Sequence, residues 1–265
     1  MTPLPQEMID KIIDQFSETT REVKTRIFNK RTLASLSIVA RAWRKRSQKH
    51  LFSVIDFQML SPMDVIEADL DELGPVFSLT KDLNIFGDHN ALSSFDPVMA
   101  AFLRCFRNLE SLSLTHWCLG RLSARQLSAY LGHFGETVTH LELMGEASSE
   151  SLIYLTSMLT PLRFLEILII TDCDKEPRGL ISREELPTVG SFQGYLYLSR
   201  LTKKHNDFLL FLSSTFPKFD TIRADSCDVG DGLEKLLGSS APSLESLELC
   251  PEKRYPGGEF PDSRG

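Results

Sequence analysis

One short pattern of apolar residues recurs along most of this chain at a nearly constant interval. In each copy, an apolar residue is followed three and five positions later by two more. The clearest copies are NLESLSL (108–114), TVTHLEL (137–143), RFLEILII (163–170), KFDTIRA (218–224) and PSLESLEL (242–249), with weaker copies at KDLNI (81–85) and GYLYL (194–198). Their central apolar positions are Leu83, Leu112, Leu141, Leu168, Leu196, Ile222 and Leu247, at intervals of 25 to 29 residues. Self-similarity at such an interval indicates a repeat architecture.

The first repeat is found by counting backwards. A step of 28 residues from Leu83 reaches Ile55, within the stretch HLFSVIDF (50–57), where Ile55 and Phe57 supply the same alternation. The interval and the alternation together are typical of leucine-rich repeats. Strands that are successive, equally spaced and separated by helices must run parallel. We therefore predict that residues 53–250 form an α/β solenoid, a curved parallel sheet of about eight strands with helices on its convex side.

Helix start signals lie between the predicted strands. Ser61 and Pro62 precede one amphipathic run, Asp96 and Pro97 precede a second, and Ser123 with Gln126 forms a capping box before a third.

The sequence offers little sign of catalysis or metal binding. The five cysteines show no paired spacing, and Cys173 and Cys227 fall at the turn position where leucine-rich repeats commonly carry Asn or Cys. Common nucleotide-binding, metalloprotease and hydrolase motifs are absent from the sequence. We expect no catalytic residues, no cofactor and no metal, and hence no enzyme activity.

Charge divides the chain near residue 52. Residues 1–52 carry eleven Lys and Arg against five Asp and Glu, a net of +6, which leaves −13 for the rest of a chain whose total is −7. An acidic second module disfavours nucleic acid as a partner. No apolar run is long enough to cross a membrane and no signal peptide is recognisable, so we expect a soluble protein, cytoplasmic and/or nuclear, with no membrane partner.

The basic module, residues 1–52, is predicted to be helical. LPQEMIDKIIDQF places Met8, Ile9, Ile12 and Ile13 on one helical face, and a second helix carries apolar residues from Leu33 to Trp43. About fifty residues with so few large apolar groups make a poor core alone. Such a module usually needs a partner for its exposed apolar face.

These residues resemble a known family. The order LPQEMIDKII, then LASLSIVARAWRKRSQKHLF, looks like an F-box, a short helical module that docks on the Skp-type adaptor of a cullin-RING ubiquitin ligase. The resemblance implies that the adaptor face, or its support, consists of Leu4, Pro5, Ile9, Ile12, Ile13, Leu36, Val39 and Trp43. The chain departs from the family in its long charged stretch from Ser17 to Arg31. The alternative is that these helices only cap the end of the solenoid.

An F-box followed by leucine-rich repeats resembles substrate receptors of such ligases, in a style similar to those of filamentous and mushroom-forming fungi. The resemblance implies that the chain bridges the adaptor, and through it a cullin, to a protein substrate. A protein-interaction scaffold unconnected with ubiquitination is the alternative function. The tail, residues 251–265, is either a cap or the cut end of a longer array.

The strand phase predicts a substrate surface. Side chains that flank the central apolar position point to the face away from the helices, because strand side chains alternate. This phase puts a cluster of large side chains there, Ile167, Ile169, Tyr195 and Tyr197, with Glu142 and Arg223 as charged flanks. Two alternatives stay open: the tail covers the cluster through Tyr255 and Phe260, or GYLYL is shifted by one residue and its tyrosines face the core.

Overall fold

The protein was analysed as a computed structural model. The structure describes residues 5–15, 23–39, 41–58, 70–87, 97–119, 122–159, 161–172, 192–215, 217–228 and 230–250. The predicted helix after Ser61 and Pro62, the turn at Cys173 and the tail from residue 251 lie outside these residues.

Eight strands form one parallel sheet, and their order in the sheet is their order in the chain. The strands are β1 (Val54–Gln58), β2 (Asp82–Phe86), β3 (Ser111–Cys118), β4 (His140–Ala147), β5 (Phe164–Asp172), β6 (Gln193–Ser199), β7 (Lys218–Asp225) and β8 (Ser246–Cys250). The predicted α/β solenoid of the leucine-rich-repeat type is confirmed.

Nine α-helices are present in the described part of the chain. Three precede the sheet: α1 (Gln6–Gln15), α2 (Val23–Val39) and α3 (Arg41–Leu51). Six lie between the strands: α4 (Leu70–Phe77), α5 (Pro97–Leu103), α6 (Ala124–Leu131), α7 (Ser149–Met158), α8 (Asn206–Ser214) and α9 (Asp231–Ser240). The second N-terminal helix of the prediction is thus two helices, α2 and α3.

The main core lies between the sheet and the inter-strand helices. One inward layer of the sheet consists of residues that pair in register from strand to strand, Ile55, Leu83, Leu112, Leu141, Leu165, Leu196, Ile222 and Leu247. Helix residues such as Leu127 and Leu152 belong to the same buried cluster. Fully burying a Leu side chain stabilises a fold by about 1.5–3 kcal/mol, so this core holds the repeats together. We call the opposite face of the sheet the open face.

Two helix starts are set as the sequence predicts. The hydroxyl of Ser123 accepts a hydrogen bond from the N–H of Gln126, whose side chain accepts one from the N–H of Ser123 in return. Helix α5 begins at Pro97, where the missing N–H of proline costs nothing. These caps start the helices at the points that place their apolar faces against the sheet.

The three N-terminal helices form a second, smaller core. Ile9, Ile13 and Leu33 are buried together, and Leu36, Trp43 and Leu51 pack against them. Arg46 donates two hydrogen bonds to the Asp14 carboxylate, at 2.9 and 2.7 Å, which tie α3 to α1. The pKa of Asp14 is lowered chiefly by the hydrogen bond from Arg46. This bidentate contact fixes the angle between two helices that share few buried apolar groups.

The fifth strand differs from its predicted phase. Leu141 pairs with Leu165, and Leu165 pairs with Leu196, so the central residue of β5 is Leu165 and the predicted Leu168 is wrong. The intervals on its two sides are therefore 24 and 31 residues in place of the predicted 27 and 28. The prediction failed because two matches of the repeat pattern overlap in this stretch. Leu162, Leu165 and Ile167 fit the pattern, and the residues three positions later fit it equally well.

A bulge in β3 generates a testable prediction. His116 has a left-handed φ of 61°, the register shifts there, and Trp117 comes opposite Gly145. An added Cβ at Gly145 would lie 2.2 Å from the carbonyl oxygen of Trp117. We expect Gly145→Ala to lower the free energy of unfolding by about 2 kcal/mol or more, because two backbones must separate.

The matched control is Gly238→Ala in α9, where an added Cβ meets nothing within 4 Å. Alanine favours a helix, so this variant should gain about 0.5–1 kcal/mol. Urea unfolding of both variants measures the difference. Equal stability of the two variants would contradict the close approach of β3 and β4.

Candidate binding surface on the open sheet face

Three rows of side chains run across the open face, because residues two apart on a strand point to the same side. Within the stretch from β4 to β7, the first row consists of His140, Phe164, Tyr195 and Thr221. The second consists of Glu142, Glu166, Tyr197 and Arg223, and the third of Met144, Leu168, Ser199 and Asp225. Each row member lies beside its neighbours on the adjacent strands.

The first row contains a run of stacked rings. The ring of His140 stacks on Phe164 with centroids 5.6 Å apart, and Phe164 stacks on Tyr195 with centroids 4.7 Å apart. The N–H of Tyr195 donates to the carbonyl of Arg163 at 2.8 Å, just after Gly194, which has a φ of 85°. An added Cβ at Gly194 would lie 2.3 Å from that same carbonyl oxygen, so glycine is needed to bring Tyr195 into the stack.

The second row combines carboxylates, an aromatic ring and a cation. The Arg223 guanidinium lies over the Tyr197 ring, 5.2 Å from its centroid, and its Nε is 3.6 Å from a carboxylate oxygen of Glu248. The Glu248 carboxylate raises the pKa of Arg223 above its ordinary value. Burial raises the pKa of the Tyr195 hydroxyl, and the nearby Glu166 carboxylate raises it further. Glu166 thus lies close enough to Tyr195 to shape the electrostatic environment of its hydroxyl.

The third row supplies apolar area. Met144 is 36% exposed, and its register partner Leu168 is half-buried. Phe86, 40% exposed, lies in the same row two strands away on β2. On β4 and β5, the open face thus presents a pair of rings, a pair of carboxylates and a pair of apolar side chains in that order along the strands.

The structure places four of the predicted substrate-site residues on the open face, Glu142, Tyr195, Tyr197 and Arg223. Both tyrosines are half-buried within the rows, so the alternative in which GYLYL is shifted by one residue is wrong. The predicted placement of Ile167 and Ile169 is also wrong, because they are 1% and 2% exposed and belong to the main core.

The residues that the sequence analysis missed come from β5. Phe164, Glu166 and Leu168 occupy the positions that the predicted phase gave to the isoleucines. The buried Leu162 precedes Leu165 by three residues, as Leu109 precedes Leu112, but the sequence alone offers an equal match three residues later.

The predicted adaptor-site residues are divided between core and surface. Ile9 and Ile13 are buried, Leu36 and Trp43 pack against them, Ile12 is half-buried and Pro5 is exposed. Leu4 and the side chain of Val39 lie outside the described residues. Met8 and Ile38, which are absent from the predicted site, are 52% and 78% exposed.

Two groups with potential chemistry have structural roles. The buried His205 accepts a hydrogen bond from the N–H of Thr202 through Nδ1 and contacts the carbonyl of Ala147 through Nε2 at 3.1 Å. The Cys227 thiol donates to the carbonyls of Leu198 and Asp225, and burial raises its pKa. Among the described residues, no three His, Cys, Asp or Glu side chains form a group suited to a metal ion. No helix in the described ranges has the length and apolar character needed to cross a membrane.

Comparisons with known proteins find similarity among solved structures. No protein family matches the sequence, and no curated protein matches it either. Among solved structures, the chain is similar to the leucine-rich repeat-containing protein LegL7 from Legionella pneumophila, with 18% identity and a TM-score of 0.42 over 82% of this chain and 69% of that one.

The placement of Glu166 beside the tyrosines predicts a titration. Tyr195 should ionise above the ordinary pKa of about 10, and Glu166→Gln should lower its pKa towards that value. The measurement is the tyrosinate absorbance of each protein minus that of its Tyr195→Phe counterpart. Glu234→Gln, on α9, is the control and should leave the pKa unchanged. If Glu166→Gln leaves the pKa of Tyr195 unchanged, Glu166 does not face Tyr195.

Proposed function

We propose that this chain is a substrate-recognition subunit of a cullin-RING ubiquitin ligase. In this proposal, the N-terminal helices dock a Skp-type adaptor, and through it a cullin, while the open face binds a protein substrate. The chemistry of ubiquitin transfer belongs to other subunits, and this chain contributes proximity. It would act in the cytoplasm, the nucleus or both.

The exposure of Met8 and Ile38 is the observation that supports adaptor docking on the N-terminal helices. Both are large apolar side chains on a module in whose described part three apolar residues, Ile9, Ile13 and Leu33, are buried. Met8 and the half-buried Ile12 are four residues apart on α1, so they lie on one helical face with the exposed Pro5 before it. An apolar face of this kind supports docking by a partner.

The junction between the two cores supports a role in positioning. Helix α3 ends at Leu51 and β1 begins at Val54, so only two residues separate them. The Lys30 ammonium donates to the Val54 carbonyl at 3.0 Å and lies 3.6 Å from the Asp56 carboxylate. A short, bonded junction would hold a substrate at a defined position relative to the adaptor.

The same junction favours a second candidate function. Lys30 covers a carbonyl of β1, the first strand of the sheet, as a capping module would. In that case the chain is a protein-interaction scaffold unconnected with ubiquitination, and the open face alone carries its function.

Adaptor binding separates these two functions. We expect wild-type protein to bind a purified Skp-type adaptor in calorimetric titration, and the double variant Met8→Asp, Ile38→Asp to lose about 100-fold or more in affinity, as central apolar contacts do. Gln15→Asp, an exposed change at the end of α1, is the control and should bind as wild type does. Because the main core is separate, the sheet should stay folded in all three proteins. Undetectable binding by wild type would favour the scaffold.

A further inference from the structure

We propose that the open face of β4 to β7 recognises an extended basic segment of a protein. In that segment, one Lys or Arg has an apolar residue two positions before it and another two positions after it. The inference deepens the proposed function, because it rests on the open face being the substrate surface and names the substrate class.

The cation would be held by two carboxylates on adjacent strands. Glu142 and Glu166 are direct register partners in a parallel pair, and their strands are about 4.8 Å apart. Like charges directly opposite each other in a sheet repel. A cationic side chain placed between them would interact favourably with both carboxylates.

The protein already holds one of its own cations, Arg223, between a carboxylate and a tyrosine in the same row. Arg223 lies over the Tyr197 ring and beside the Glu248 carboxylate. Tyr197 is also the register partner of Glu166 on its other side. A ligand cation at Glu166 would repeat the arrangement of a carboxylate next to a tyrosine, which favours Lys and especially Arg.

Apolar side chains lie on both sides of the acidic pair along the strands. Phe164 lies two residues before Glu166 in the first row, with Tyr195 beside it on β6, and Met144 and Leu168 lie two residues after the pair in the third. An extended peptide has the same two-residue repeat as a strand, about 6.6–6.8 Å. A peptide aligned with the strands would therefore place its residues i−2, i and i+2 over the three rows.

Charge also selects a basic ligand over an acidic one. Among the described strand residues that face this side from β4 to β8, the carboxylates of Glu142, Glu146, Glu166, Asp225 and Glu248 outnumber the cations of Lys218 and Arg223. Residues beyond 52 carry a net charge of −13, which is the total of −7 less the +6 of residues 1–52. A field of this sign speeds the approach of basic segments and repels acidic ones.

The test uses three labelled peptides and the full chain. Their common core is Phe-Ser-Arg-Ser-Leu between flexible flanks, with Gln or Glu replacing Arg in the second and third peptides. Fluorescence anisotropy at low ionic strength measures each affinity. We expect the Arg peptide to bind about tenfold or more tightly than the Gln peptide, and the Glu peptide to bind most weakly.

Variants of Glu142 and Glu166 test whether the preference for the Arg peptide depends on this pair. Glu142→Lys with Glu166→Lys should reverse the order of the Arg and Glu peptides. Glu142→Gln with Glu166→Gln should remove the preference for Arg, and it provides the test if the charge-reversed protein does not fold. The control is Glu136→Lys with Glu234→Lys, two exposed glutamates outside the open-face rows, and it should keep the wild-type order.

Three results would overturn the inference: equal binding of the three peptides, no binding of any, or an Arg preference that survives in the Gln double variant. Adaptor affinity is measured on the same protein. Adaptor binding without an Arg preference overturns this inference alone. An Arg preference without adaptor binding supports this inference and overturns the role in ubiquitination.

Discussion

A shared carbonyl just before each of the strands β1 to β4 aligns the next strand of the sheet. The Ser53 carbonyl accepts hydrogen bonds from the N–H groups of Lys81 and Asp82, at 2.8 and 3.0 Å. The Lys81 carbonyl then accepts from Glu110 and Ser111, at 2.8 and 2.9 Å, and the carbonyls of Glu110 and Thr139 repeat the contact for β4 and β5. Each repeat thus fixes the next by its backbone before any side chain takes part. Everything on the two faces of the sheet follows from this alignment, because a slip of one residue exchanges the faces.

The same alignment builds the core and the candidate binding surface together. When Leu141 pairs with Leu165 in the core layer, His140 must come beside Phe164 and Glu142 beside Glu166 on the open face. The stacked rings and the paired carboxylates are therefore consequences of the packing of leucines on the other side. Where the alignment is locally broken, at the β3 bulge and before Tyr195, glycines at 145 and 194 permit the close backbone approach.

The sequence predicted the repeats well, because the leucines of each inward layer recur at a nearly constant interval along the chain. Seven of the eight central positions, and the capping box at Ser123, are found where the spacing and the local chemistry place them. The eighth failed in LRFLEILII, where apolar residues fill both faces of the strand and two matches of the pattern overlap. Only pairing with β4, through the N–H groups of Arg163 and Phe164, decides between them. The composition of the open-face rows at β5 depends on that pairing, so this part of the surface could not be predicted from the local pattern alone.

The central claim is that β5 turns Glu166 to the open face and Ile167 to the core. Thiol labelling tests it most directly, with Glu166→Cys and Ile167→Cys made separately and the labelling of the wild-type cysteines subtracted. The account predicts that the thiol introduced at position 166 reacts about 100-fold or more faster than the one at position 167, since the latter reacts only when the sheet opens. Faster labelling at position 167 would contradict the register, and with it the composition of the open face.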